Sequence, residues 1–528
     1  MALEMILKLN TPGMTSLHKA GLAGLYMTLK AFDKKDVQIK GLQWEVQEKQ
    51  IVLNWTDDKP KDAFENLVKE SFWIDDEGFI RLYGLEPKRE MSLEQRHLLY
   101  EGLLNSLLQH GQHRKKKAKR NLGYEIDDKK VWIKDFEPIK EFVHQNVHKN
   151  WLDNNGFFKS EIEIVGWLYP GSSVKHTDSS TKNATTHRES FPFALCLLFS
   201  PVGVIYYLLK SKAKGKKYAR KSRLALLIPE VKNLKSYAEI RQVIASQGVI
   251  DLTASSSSDA ALRMLIALRT NSSGNQFAKR MQENFLCRVI TLGIVDWSKQ
   301  QKSRTATRTV ISSKLKGFEN YYLADSIFKN KWQQVQEDRD SKGNLKSPER
   351  FFVTTFCGRE MIADNTANGK NWYHNISEFL ANRETREQLY YERKELGQMT
   401  KEATYENENE RIFIDVCHES WRRRMGKLGQ RATNESTSFS NLANKEREKL
   451  RTSLARCKNA ESLRETVIDY WSRAGSIKQL QSGGLAKILP LFDEDNWRKA
   501  KDLALLALIS YQAPEETEDT DIETGGEK

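Results

Sequence analysis

Two glycines, Gly21 and Gly24, sit in the middle of a stretch patterned as a helix, "TPGMTSLHKAGLAGLYMTLKAF" from Thr11 to Phe32. Each should make that helix less favourable than alanine would by roughly 0.8–1 kcal/mol. A second backbone or a ligand lying close against the helix, where a side chain would collide, offsets such a cost. Just upstream, Met5 to Leu9 alternates like a short strand, and Thr11-Pro12-Gly13 supplies a turn. The chain therefore begins as a strand, a turn and a close-packed helix.

With 528 residues, 39% of them hydrophobic and 29% charged, the chain describes a globular protein of two to four domains. Its net charge of +14 asks for a polyanionic partner, nucleic acid first and an acidic membrane surface second. Cys196, Cys287, Cys357, Cys417 and Cys457 stand singly, which points to a reducing, cytoplasmic compartment and away from a disulfide framework or zinc module. Glu4 and Lys8 interrupt the apolar run at the start, so no signal peptide is expected. Phe191–Leu209 is strongly apolar, but Pro192, Ser200, Pro201 and Gly203 break it below the length of a membrane span. It reads as two buried strands, Phe193–Phe199 and Val202–Leu209.

Val37–Trp55 alternates on both sides of a polar break, the pattern of a β-hairpin, and a second hairpin is expected around Asp75–Gly78. Ser92-Leu-Glu-Gln95 is a capping box that opens a helix reaching about His110. From about residue 385 helical periodicity takes over. Ile412, Val416, Cys417, Trp421, Met425 and Leu428 form one stripe, Leu463, Val467, Tyr470 and Trp471 another, and a last helix follows the acids Asp493–Asp495. The expected fold is α+β: a mixed strand and helix body over 1–384, a helical bundle over 385–513 and an acidic, solvated tail over 514–528.

Four basic clusters carry the charge. Arg114, Lys115, Lys116, Lys117, Lys119 and Arg120 form one; Lys210, Lys212, Lys214, Lys216, Lys217, Arg220, Lys221 and Arg223 form the densest, with no acid among them. Arg422, Arg423 and Arg424 lie on the bundle, and Arg304 and Arg308 belong to a looser set with Lys302, Lys314 and Lys316. Together they fit a surface for phosphate backbones, which positions a nucleic acid without reading it. Reading bases takes side chains such as Asn, Gln and Ser. The loops Thr270–Arg280, with Asn271, Ser272, Ser273, Asn275 and Gln276, and Gly171–His176, with Lys175, are the candidates, although turn chemistry alone also explains them. His144 and His148 have metal-like spacing, but with no third ligand nearby they read as a solvated helix. Cys417 falls in an apolar stripe and reads as core. There is no P-loop, no HExxH and no paired-carboxylate nuclease motif, so neither a catalytic centre nor a cofactor is expected.

Leu9–Phe32, "LNTPGMTSLHKAGLAGLYMTLKAF", resembles the N-terminal signature of the large subunit of type I CRISPR Cascade complexes, in the MYXAN-type branch. The likeness rests on an asparagine-containing turn, Pro-Gly-Met, Leu-His-Lys-Ala-Gly-Leu and a second Gly-Leu. It implies a non-catalytic subunit of an RNA-guided DNA surveillance complex, one that recognises the protospacer-adjacent motif on double-stranded DNA, aids its opening and supports the R-loop. The implied partners are the guide RNA, the target duplex and its displaced strand, and the other Cascade subunits, including the repeated backbone subunit. A helicase–nuclease is recruited in antiviral relatives, and a transposition machinery in transposon-encoded type I-B ones. Gly21 and Gly24 then serve packing against the helix's own sheet or against a neighbouring subunit, the internal reading being preferred; His18 and Lys19 are weaker candidates for touching nucleic acid. The resemblance also raises a free small subunit, Met399–Lys528, made from an internal start at Met399. The rival reading is a metal-dependent nuclease or recombinase whose carboxylates meet only in the folded chain.

Overall fold

Helix α1 (Ser16–Lys34) is held at its start by a capping box in which His18 N–H donates to Thr15 Oγ1 at 3.4 Å and Thr15 N–H to His18 Nδ1 at 3.2 Å. In a computed structural model, which describes residues 3–512 apart from 57–59, 87–89, 109–115, 127–128, 165, 171–186, 210–221, 271–284, 296–297, 340, 342 and 348–349, both glycines of α1 meet backbone. A Cβ on Gly21 would stand 1.8 Å from the carbonyl oxygen of Cys196, and one on Gly24 2.2 Å from that of Phe199. Across the contact, a Cβ on Gly203 would stand 1.8 Å from the carbonyl oxygen of Ala20. The packing is internal, as preferred, but its partner is a helix.

That partner corrects the expectation of two strands. Residues Phe191–Leu198 form a helix and Ser200–Gly203 a further helical turn; a strand begins only at Ile205. No β-branched residue occurs in the stretch before Val202, Leu195, Leu197 and Leu198 favour helix, and Pro192 and Pro201 each occupy a first turn, where proline is tolerated. Because the helix is buried on nearly all sides, it shows no polar face, and periodicity cannot tell it from a strand.

The chain divides into two compact units, Met1–Leu315 with Lys329–Thr355, and Lys316–Phe328 with Phe356–Lys528. Unit 1 holds the sheets. Strands β1 (Leu3–Lys8), β2 (Leu42–Val46) and β3 (Gln50–Trp55) form an antiparallel sheet in the order β1-β3-β2, with β2 and β3 the expected hairpin. The second expected hairpin is present as β4 (Phe72–Ile74) and β5 (Ile80–Leu82). Two further hairpins are β6 (Arg120–Ile126) with β7 (Lys129–Phe136) and β8 (Glu161–Glu163) with β9 (Arg188–Ser190). A five-stranded sheet joins β10 (Ile205–Leu209), β11 (Ser222–Pro229), β12 (Thr253–Ala254), β13 (Leu286–Val295) and β14 (Ser298–Ile311) in the order β12-β10-β11-β13-β14. The capping box at Ser92 opens a helix that ends at Asn105, short of the expected limit. No helix among the described residues is long and apolar enough to cross a membrane.

His144 and His148 are not on a solvated helix. Both are buried: His144 lies among the rings of Phe72, Phe142 and Trp167, and His148 Nε2 is 3.5 Å from Glu65. Among the described residues no group of three metal-ligating side chains assembles.

Unit 2 is helical. Its long helix, Glu408–Asn434, buries Val416, Cys417, Trp421 and Leu428 against the helices Ala460–Ala474 and Trp497–Ser510, so most of the two stripes seen in the sequence lies in its core, with Ile412, Met425 and Tyr470 half-buried. The unit also takes in helices upstream of 385, and a division at 384/385 falls inside the helix Arg383–Tyr391. Helix Cys357–Ala367 hides most of its residues and so lacks an amphipathic stripe. Met399 is buried inside helix Arg393–Glu402, where a Cβ on Gly397 would meet the carbonyl of Ser510 at 2.8 Å. Asp502 accepts from the backbone N–H groups of Asn375 at 2.9 Å and Ser377 at 3.4 Å. Phe328 and Phe356 meet, with ring centroids 5.8 Å apart, where the chain leaves the unit and returns.

Two stability predictions follow from this packing. Gly21→Ala should destabilise by about 3 kcal/mol, because backbone cannot yield as an overpacked side chain can. Gly426→Ala and Gly429→Ala, where an added Cβ meets nothing within 4 Å, should instead stabilise by roughly 0.8–1 kcal/mol each, as measured by denaturant unfolding. A fragment of 316–512 with 329–355 replaced by a short Gly-Ser linker should unfold cooperatively by circular dichroism. The fragment Met399–Lys528, which strips Asp502 of both its donors, should not.

Candidate nucleic-acid interface

Charge is divided unevenly between the two units. Unit 1 holds 56 Lys and Arg against 38 Asp and Glu, while unit 2 holds 28 against 32. The whole basic excess therefore belongs to unit 1. Over a Debye length of about 8 Å at physiological salt, such an excess acts on a polyanion as a field of its own unit.

The first basic cluster runs into hairpin β6–β7. Lys116 pairs with Glu137 at 2.8 Å and is half exposed, Lys117 N–H donates to the Pro138 carbonyl at 2.7 Å, and Lys119 and Arg120 are exposed. The Lys116–Ile139 bridge and the Lys117 hydrogen bond fix the backbone of this segment beside the hairpin's return. Arg304 and Arg308 both lie in β14. In the β13–β14 ladder Arg308 stands opposite Val289 and Arg304 opposite Leu292, because an extra residue on β14 shifts the register between Thr291 and Leu292. Arg223 is in β11. The candidates Arg114, Lys115, Lys175, Lys210, Lys212, Lys214, Lys216, Lys217, Arg220, Lys221, Asn271, Ser272, Ser273, Asn275 and Gln276 lie outside the described residues.

On the bundle the three arginines are already occupied. Glu419 accepts from Arg422 at 2.7 and 2.8 Å and from Arg423 at 2.6 Å, while Glu446 accepts from Arg424 at 2.7 Å. The hydrogen bonds from Arg422, with that of Arg423, hold the Glu419 carboxyl down at about 2, below its ordinary 4.5. The sequence shows the arginines at once, but Glu446 lies 22 residues from its partner on another helix. His18 and Lys19 are structural. The His18 ring is buried under the capping box beside Phe193, and Lys19 pairs with Glu230.

Substituting Arg422, Arg423 and Arg424 together by alanine should weaken duplex binding by less than about twofold, since each already has a carboxylate. Glu419→Gln should strengthen it, as read by fluorescence anisotropy at fixed salt. The Glu419 carboxyl is depressed in the folded state, so its stabilisation is complete above pH 4.5 and is lost as the pH falls toward 2. The same Gln variant should therefore show a shallower acid limb in thermal unfolding.

Comparison with known proteins agrees with this division. The model of the DevT N-terminal domain matches residues 6–198, within unit 1, and that of the DevT C-terminal domain matches residues 401–527, within unit 2. The N-terminal match includes both α1 and the helix Phe191–Leu198 that crosses it. A curated relative, the CRISPR-associated protein Cas8a1/Csx13 of Myxococcus xanthus (strain DK1622), is 28% identical over 531 aligned residues, covering 96% of this chain and 88% of its own. With more than half of its length matched and the opening signature in place, the chain belongs to the DevT family, the Myxococcus-type large subunits of type I CRISPR complexes.

Proposed function

We propose that this chain acts as the non-catalytic large subunit of a Cascade complex, gripping nucleic-acid backbones through unit 1 and presenting unit 2 to the displaced strand. The observation that carries the reading is the segregation of charge, 56 cations against 38 anions in one unit and near balance in the other. In this reading Lys116–Arg120 and Lys210–Arg223 hold guide RNA and the flanking duplex, and Asn271, Asn275 and Gln276 read the protospacer-adjacent motif. Guide pairing reads the target itself, a division of labour known from another effector class. Other Cascade subunits and a recruited helicase–nuclease or transposition machinery complete the assembly.

A tagged copy purified from its native operon should bring down uniform repeat–spacer RNA and the other subunits. Recovery of neither, together with magnesium-dependent nicking by the chain alone, would establish the nuclease reading instead. Duplex affinity should fall steeply with salt, by roughly −0.9 in log–log slope for each neutralised phosphate. Neutralising Lys210–Arg223 should weaken all duplexes alike, whereas substituting Asn271, Asn275 or Gln276 should change the preferred flanking motif.

A further inference from the structure

Helices Arg393–Glu402, Glu408–Asn434 and the end of Trp497–Ser510 leave a cleft of about 270 Å³ within unit 2. Lys401, Asp415, His418, Glu419, Arg422 and Tyr511 are among its lining. Three of these groups are uncommitted. The exposed Asp415 carboxylate, which feels the charge of Arg411, and the exposed Lys401 ammonium have no hydrogen-bond or ion-pair partner among the described residues, and the Tyr511 hydroxyl has no hydrogen-bond partner there. The rest of the wall is settled. Glu419 is taken by Arg422 and Arg423, and His418 Nε2 lies 3.1 Å from Ser510 Oγ, its burial pushing it down to about 4 and so keeping it neutral. The Tyr511 ring lies beside that of His418, with centroids 5.9 Å apart. Arg422 spends two of its five N–H groups on Glu419.

The cleft thus offers a free anion, a free cation, a guanidinium with donors to spare and an aromatic face. An acidic peptide suits it poorly, because its carboxylates bring no donor for Asp415 and no flat surface for Tyr511. A simple cation leaves Lys401 and Tyr511 unused. A nucleotide uses all of them, since it brings a phosphate, a flat π-surface and, in cytosine or adenine, an exocyclic amino donor.

We propose that the cleft holds one nucleotide of a single strand, with its base against Tyr511, its exocyclic amino group donating to Asp415 and its phosphate between Lys401 and Arg422. The inference deepens the proposed function and rests on it only for the source of the strand. Thymine has no amino group to offer Asp415 and would leave the carboxylate facing a carbonyl.

The test uses dCMP and dTMP as probes of the purified full chain, followed by calorimetry or saturation-transfer NMR. dCMP should bind about tenfold more tightly than dTMP, the scale of one well-placed base contact. Asp415→Asn should abolish that preference, while Lys401→Ala weakens both nucleotides alike, each variant keeping the parent's melting temperature. A dC decamer crosslinked by ultraviolet light should leave its adduct on the peptide carrying Tyr511. Equal binding of the two nucleotides, an unchanged preference in Asp415→Asn, or adducts confined to other peptides would overturn the proposal. Absence of guide RNA from the native assembly would remove the proposed function and leave the mononucleotide result standing.

Discussion

Backbone against backbone, with no side chain between, is the contact on which unit 1 depends. Gly21, Gly24 and Gly203 bring α1 and the segment 191–203 so close that a single methyl group on any of them would meet a carbonyl oxygen. Such closeness buries the carbonyl groups at the end of the helical turn Ser200–Gly203, and each needs a donor. Arg241, itself buried, supplies Nε to the carbonyls of Val202 at 3.1 Å and Val204 at 2.9 Å, and Tyr237 donates to that of Gly203. A guanidinium taken out of water is costly unless it is hydrogen-bonded, and burial does lower its pKa. Its placement is therefore tied to the crossing. The aromatic packing at the other end follows as well, since Phe191 at the start of that segment stacks on Phe158 at 4.0 Å and meets Phe64 at 5.5 Å under strand β3.

How much of this was legible follows from where each signal lives. Local rules worked: the capping box at Ser92, the hairpins around residues 48 and 77 and the stripes of the long helix are fixed by near neighbours, and the structure has them. The glycines announced that something lay close but not what. Residues 191–203 failed as a reading because a helix buried on every face has no polar side to mark its period. His144 failed for a related reason: its spacing to His148 is helical, but the rings that enclose it come from residues 72, 142 and 167. The upstream limit of unit 2 was likewise hidden in helices too buried to show a stripe.

The candidate interface was legible as composition and illegible as pairing. Counting cations along the chain finds Arg422–Arg424 as readily as it finds Lys116–Arg120, yet the two sets stand in different surroundings. Glu419 and Glu446 give every arginine of the first set a carboxylate, whereas in the second Lys116 pairs with Glu137 and both Lys119 and Arg120 are exposed. Exposed pairs of this kind add little stability. Their larger effect is to weaken, within a Debye length, the field that a duplex backbone would feel. The net charge of the chain thus says that a polyanion is wanted, and the distribution of carboxylates says which basic clusters hold a duplex backbone least well.

The same reasoning applied to acids explains why unit 2 is of interest despite its balanced charge. Most of its carboxylates near a cation are spoken for: Glu406 lies between Lys316 and Lys499, Glu410 also receives Lys499, and Glu448 receives Arg451. Asp415, by contrast, is exposed and has no ion-pair partner among the described residues, and its partial burial raises its pKa despite Arg411 nearby. What sets Asp415 and Lys401 apart is that they converge with Arg422 and Tyr511 on one cleft, so that a single ligand can meet all four.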